Sequence, residues 1–209
     1  MNYLISSLIG YLLGSIPTGY LLLKRFRGID IRNEGSGNVG AYNSYDVTKS
    51  KQIGISVLLI DLIKGILSVL VVKIFYPDSF VFSALSLFFA VFGHCYNPWL
   101  NFKGGRGLAT AAGGSLILVP MLVGVWGVLW AIFYIMRKDI LFANIVATVM
   151  SILVVFNSGN IAAKYSFPKP VDESSLILLS TSVLILIFIK HIEPLKELVQ
   201  KQLKKKNDK

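Results

Sequence analysis

Four short clusters hold the side chains that could do chemistry. The first, GSGNVGAYN from Gly35 to Asn43, sets Ser36, Asn38 and Asn43 among Gly35, Gly37 and Gly40. Such a backbone turns sharply and can aim N–H groups at an anion. A helix starting just after it would add its own N-terminus for phosphate. The second, KGGRG, places Lys103 and Arg106 around Gly104 and Gly105. It offers mobile backbone donors and a guanidinium for paired oxygen contacts. The third is Lys190–His191, where an imidazole can exchange a proton or donate to an anion. The fourth is Asp61 and Lys64, three residues apart inside an apolar run and so on one helical face. Each has a plainer reading: an ordinary loop, a basic loop that sets topology, a polar anchor, and a structural ion pair. The last of these is the reading adopted for Asp61 and Lys64. The other three clusters point to one anion site.

The elements that must position these clusters are membrane helices. The chain has 209 residues, of which 54% are hydrophobic and 15% charged, with a mean hydropathy of +0.65. Soluble domains carry roughly 25% charged residues, and the apolar residues here come in long blocks, not stripes. The blocks run Tyr3–Leu23, Ile53–Phe75, Phe80–Tyr96, Gly107–Met136, Ile140–Phe156 and Leu176–Ile189. Most of the 21 Lys and Arg residues lie in four segments: 24–51, 103–106, 137–138 and the tail from 190. Basic loops face the cytoplasm, so 103–106 and 137–138 share a side and the block between them crosses an even number of times. Pro120 divides it into two short helices, 108–119 and 121–136, the first rich in Gly and Ala for close packing. The expected fold is an all-α integral membrane protein of about seven transmembrane helices, some short. Its N-terminus is outside and its C-terminus cytoplasmic.

Residues 1–209 read as a single membrane domain with a basic cytoplasmic tail over 191–209. The first block lacks a basic leader and reads as a retained helix, not a cleaved signal. The outer segment SGNIAAKYSFPKPVDESS is expected to lack regular structure. Cys95, the single cysteine, excludes an internal disulfide and reads as a small buried hydrophobe. The net charge of +10 suits anionic lipid headgroups, so no nucleic-acid partner is expected. No metal site and no cofactor are expected. Residue chemistry alone describes a membrane enzyme that holds an anion at the cytoplasmic boundary, with the apolar part of its substrate among the helices.

The motifs GSIPTGY, GIDIRNEGSGNVGAYN, DLIKG, GHCYNPWLNFKGGRGLAT and a terminal KH, in that order, resemble the bacterial acyl-phosphate:glycerol-3-phosphate acyltransferases. The resemblance runs from residue 14 to about 198. It implies a multi-pass protein of the bacterial cytoplasmic (inner) membrane with acyl phosphate, glycerol 3-phosphate and membrane lipids as partners. An acyl group would pass from acyl phosphate to the sn-1 hydroxyl of glycerol 3-phosphate, giving lysophosphatidic acid. Carried over, Ser36, Gly37, Asn38 and Asn43 belong to the first phosphate motif and Lys103, Gly104, Gly105 and Arg106 to the second. His191 is the third motif's histidine, and Ser36 and His191 are the candidate catalytic pair. The substrate hydroxyl would attack directly, with substrate phosphate taking the proton. The family pattern is departed from at Asp46 and Glu197, where arginines belong, at Pro194, where an asparagine belongs, at Arg106, which replaces a lysine, and at Tyr42, which replaces a threonine. Three readings therefore stay open: this acyltransferase, a divergent or inactive paralogue acting on another phosphorylated acceptor, and a small membrane transporter.

Overall fold

The computed structural model describes residues 1–196, 199 and 200. Among them the regular structure is helical throughout: α1 Asn2–Gly14, α2 Thr18–Arg27, α3 Ala41–Thr48, α4 Lys51–Phe75, α5 Phe80–Cys95, α6 Leu108–Leu118, α7 Pro120–Arg137, α8 Ile140–Asn157, α9 Gly159–Lys164 and α10 Glu173–Ile189. Five helical stretches are long and apolar enough to cross a membrane: Asn2–Arg27, Lys51–Phe75, Phe80–Leu100, Pro120–Arg137 and Ile140–Asn157. Helices α6 and α10 are apolar but shorter. With them the expected count of about seven, some short, is met.

Short polar residues set the helix starts. Ser50, Ser79, Asp139 and Asp172 each accept from an amide two or three residues into α4, α5, α8 and α10. Pro120 opens α7, where a missing N–H costs no bond. Between helices, missing side chains set the spacing. A Cβ on Gly10 or Gly14 of α1 would strike the backbone of Ser86 or Ala90 in α5, and one on Gly65 or Gly113 would strike the α6 or α4 backbone. These glycines let two helix pairs pack backbone to backbone, the close approach that lipid-embedded helices exploit. Helix α7 is the opposite case: only Leu122 is buried, and its Val128, Ile132 and Ile135 face outward.

Two expectations are corrected. The first apolar block is not one helix. It breaks at Ser15–Pro17, because Pro17 has no N–H and blocks continuation. The freed carbonyls would be costly in an apolar setting, and distant side chains meet them. Asn97 donates to the Ser15 carbonyl at 2.7 Å, and Lys64 Nζ donates to the Ile16 carbonyl at 3.0 Å. The GSIPTGY, DLIKG and YNPW motifs thus meet at one break. The outer segment also holds a short helix, α9, which the polar composition hid.

Candidate functional site

Helix α3 starts immediately after the first glycine-rich loop, and Asn43 in its first turn holds that loop together. Asn43 is buried. Its Oδ1 accepts from the Ser36 amide at 2.9 Å, and its Nδ2 donates to the Asn38 carbonyl at 2.9 Å and the Glu34 carbonyl at 3.1 Å. Asn38 Oδ1 accepts from the Gly40 amide at 2.7 Å. Gly35 adopts φ +58 with Asn43 Oδ1 where a Cβ would stand, so the left-handed turn and the tight contact both require glycine. Upstream of the loop, Asp30 and Arg32 share two side-chain hydrogen bonds at 2.9 and 2.6 Å. The Arg32 guanidinium holds the Asp30 carboxyl down at about 2.

The second loop is built differently. It folds back on the C-terminal end of α5, where the Gly105 amide donates to the His94 carbonyl at 3.0 Å and the Gly104 amide to the Cys95 carbonyl at 3.1 Å. These amides therefore satisfy helix-end carbonyls. They are not the mobile anion donors expected from the sequence. Neither glycine tolerates a side chain: a Cβ on Gly104 would meet the His94 carbonyl, and one on Gly105 would meet the His94 imidazole Nε2.

The two loops meet around a cavity of about 170 Å³. Ser36, Asn38 and Asn43 line it from the first loop and Arg106 from the second; Asp61, His94 and Asn144 also line it. Asp61 and Lys64 are 2% and 3% exposed, with Oδ1 and Nζ 2.9 Å apart. The contact is one of charge, since no donor among the described residues is aligned for a hydrogen bond to Asp61 Oδ1. His94 Nδ1 stands 3.8 Å from the same oxygen. Asn144 is fixed from outside by Trp130, whose indole N–H donates to its Oδ1 at 2.8 Å. A separate apolar groove is lined by Leu108, Ala111, Leu122, Trp126, Val183 and Ile187 among others, and Leu108 borders both spaces.

The structure thus gathers Ser36, Asn38, Asn43 and Arg106 on one cavity, while Gly37, Lys103, Gly104, Gly105 and His191 do not line it. His191 is 1% exposed and its Nδ1 lies 2.8 Å from the Ile187 carbonyl, while Nε2 has no partner among the described residues. Burial pushes this imidazole down to about 4, and the nearby Arg106 charge acts in the same direction. It is held neutral, with Nδ1–H donating to Ile187. Asp46 also stands apart: it is exposed, pairs with Lys49 at 2.7 Å and is not on the cavity wall. The charge reversal expected near a phosphate is therefore absent from the cavity, and Lys49 is engaged by Asp46. Pro194 falls in the first turn of helical residues 192–196, whereas Glu197 and the rest of the basic tail beyond 200 lie outside the described residues. Sequence reasoning missed His94 and Asn144 altogether. His94 had a signal, since it sits in GHCYNPW beside the second loop; Asn144, alone in an apolar run, had only its polarity.

The shared cavity also bears on topology. Arg106 precedes α6 and Asn144 opens α8, so α6 and α7 together run away from this end and return.

Comparison with known proteins adds a family. Residues 4–201 match the family model described as glycerol-3-phosphate acyltransferase. A glycerol-3-phosphate acyltransferase of Pelagibacter ubique is 42% identical over 163 residues, covering 77% of this chain and 83% of that protein. Crystal structures of PlsY, an integral membrane glycerol 3-phosphate acyltransferase, superpose closely. The glycerol 3-phosphate form gives a TM-score of 0.79 at 31% identity, covering 96% of this chain and 94% of that one. The lysophosphatidic acid form gives 0.78 at 29% identity, covering 96% and 93%.

Proposed function

The chain belongs to the glycerol-3-phosphate acyltransferase family, and from that membership we propose that it transfers a fatty acyl group from acyl phosphate to the sn-1 hydroxyl of glycerol 3-phosphate. The products are lysophosphatidic acid and inorganic phosphate. It is a multi-pass membrane protein, and we place it in the bacterial cytoplasmic membrane, N-terminus outside, with the cavity and the basic tail on the cytoplasmic side.

One observation carries this reading: a polar cavity bordered by a guanidinium and a fixed glycine-rich loop adjoins an apolar groove at Leu108. A phosphorylated, acylated donor has both characters. Its phosphate would lie by Ser36, Asn38 and Arg106, its chain along the groove past Ala111 and Trp126. The acceptor's hydroxyl oxygen attacks the acyl carbonyl carbon, the bond from that carbon to the phosphate oxygen breaks, and inorganic phosphate departs. The hydroxyl proton passes to substrate phosphate. Acyl phosphate is already activated, so positioning and charge neutralisation supply the acceleration. In this scheme Asn43, Gly104 and Gly105 hold the walls, and His191 stands outside the cavity as a buried neutral imidazole bound to the Ile187 carbonyl.

The test is phosphate release by the purified protein given palmitoyl phosphate and glycerol 3-phosphate, with lysophosphatidic acid followed in parallel. Release that requires both substrates, and falls at least tenfold in Ser36→Ala and Arg106→Ala, is the expected result. No release from a folded sample would remove the reading.

A further inference from the structure

The Asp61–Lys64 pair first reads as a structural ion pair, and Lys64 fits that description. Its ammonium is held between the Asp61 carboxylate and the Ile16 carbonyl at the break between α1 and α2. Asp61 does not fit it. A buried carboxylate ordinarily accepts aligned hydrogen bonds, because charge taken from water must be met by donors. Asp61 Oδ1 is met by an ammonium and, at 3.8 Å, an imidazole nitrogen, with no aligned donor on it among the described residues. Yet Asp61 lines the same cavity as Ser36 and Arg106, ten residues along α4 from Lys51. At 1.5 Å per residue, that is about 15 Å from the helix start. A carboxylate thus forms part of an otherwise donor-rich wall.

We propose that Asp61 accepts a hydrogen bond from the sn-2 hydroxyl of glycerol 3-phosphate, so that it reads the acceptor's non-reacting hydroxyl. The inference rests on the acyl transfer proposed above. A carboxylate repels phosphate and welcomes O–H, so within a cavity that takes a polyol phosphate it marks the uncharged end of the ligand. The reacting hydroxyl must reach the acyl carbonyl beside the groove, which leaves the other hydroxyl for the Asp61 wall. A carboxylate has no proton to donate, so it pairs with the hydroxyl only as an acceptor. A site that hydrogen-bonds a substrate hydroxyl rejects the analogue lacking it, because its own buried group is left unpaired.

The experiment compares glycerol 3-phosphate with 3-hydroxypropyl phosphate, which keeps the phosphate and the reacting hydroxyl and lacks the sn-2 hydroxyl. The wild-type protein should prefer glycerol 3-phosphate by at least about tenfold in kcat/KM. Asp61→Asn weakens the acceptor, and Asp61→Leu combined with Lys64→Gln removes both charges while leaving a donor for Ile16. In the double variant the preference should shrink below about threefold, with Asp61→Asn between. The double variant keeps the test open should the single change leave Lys64 uncompensated and the protein unfolded. Equal use of both acceptors by the wild type would overturn the inference. So would a preference that survives in the double variant. Transfer to neither acceptor would instead sink the acyltransferase reading itself.

Discussion

The two glycine-rich loops look alike in sequence and are built in opposite ways. The first is self-supporting: Asn43 ties Glu34, Ser36 and Asn38 into one hydrogen-bonded turn, and the loop presents Ser36 and Asn38 to the cavity. The second leans on its neighbour. Its amides finish helix α5, its glycines make room for His94, and only Arg106 and Gly107 reach the cavity wall. A glycine beside a cation can mean an anion donor or a close contact, and here each loop takes one meaning. The second loop's glycines serve the fold of α5 and thereby the placement of His94 and Arg106.

Substitution at Gly105 breaks the comparison most sharply. Alanine keeps the N–H, so a donor role would survive Gly105→Ala almost intact. A Cβ there, however, falls on the His94 imidazole, and displacement of a cavity wall by about 1 Å can cost on the order of 100-fold in rate. We expect transfer to fall by that order. Activity within threefold of wild type would return Gly105 to the donor role read from the sequence. Asn43→Ala tests the other loop and should be the next largest effect. It removes three part-buried hydrogen bonds, to the Ser36 amide and the Glu34 and Asn38 carbonyls, at roughly 0.5–1.5 kcal/mol each. Lower thermal stability together with a raised KM is expected; a raised KM with unchanged stability would make Asn43 a ligand to substrate instead of a clamp. Lys103→Ala should change kcat/KM by less than about threefold, since Lys103 does not line the cavity. A tenfold loss would show that the loop closes over bound substrate.

Much of the frame was legible because hydropathy, charge and proline act locally. The blocks gave the helices, and the even crossing of residues 107–136 followed from two basic pairs. What stayed hidden depends on partners distant in sequence. The break at Pro17 could be foreseen from proline chemistry, but not that Asn97 and Lys64 would meet the freed carbonyls. Asn144 belongs to the cavity only because α8 returns to the end where Arg106 sits. Asp46 illustrates the reverse error. Three residues beyond Asn43 in sequence, it projects from α3 to solvent and pairs with Lys49 instead of facing the cavity. Spacing along a motif did not reveal which side of its helix would face the site.

The smallest expected effect concerns His191, the residue that most resembles a catalytic base in the sequence. Its folded-state value is depressed from 6.5 to about 4 by burial, so the unfolded chain binds the extra proton between those limits. Its contribution to stability is therefore fully present above about pH 6.5 and is lost as pH falls towards 4. A general base titrating freely would put an inflection near 6.5 into the pH dependence of kcat/KM. We expect that inflection to be absent, while thermal stability declines over the same interval in the wild type and less steeply in His191→Asn. An activity inflection near 6.5 that disappears in His191→Asn would place the imidazole in proton transfer, and the cavity would then have to include it. Without one, the contrast between the loops extends to the third motif, whose histidine, like Gly104 and Gly105, belongs to the fold and does not line the cavity.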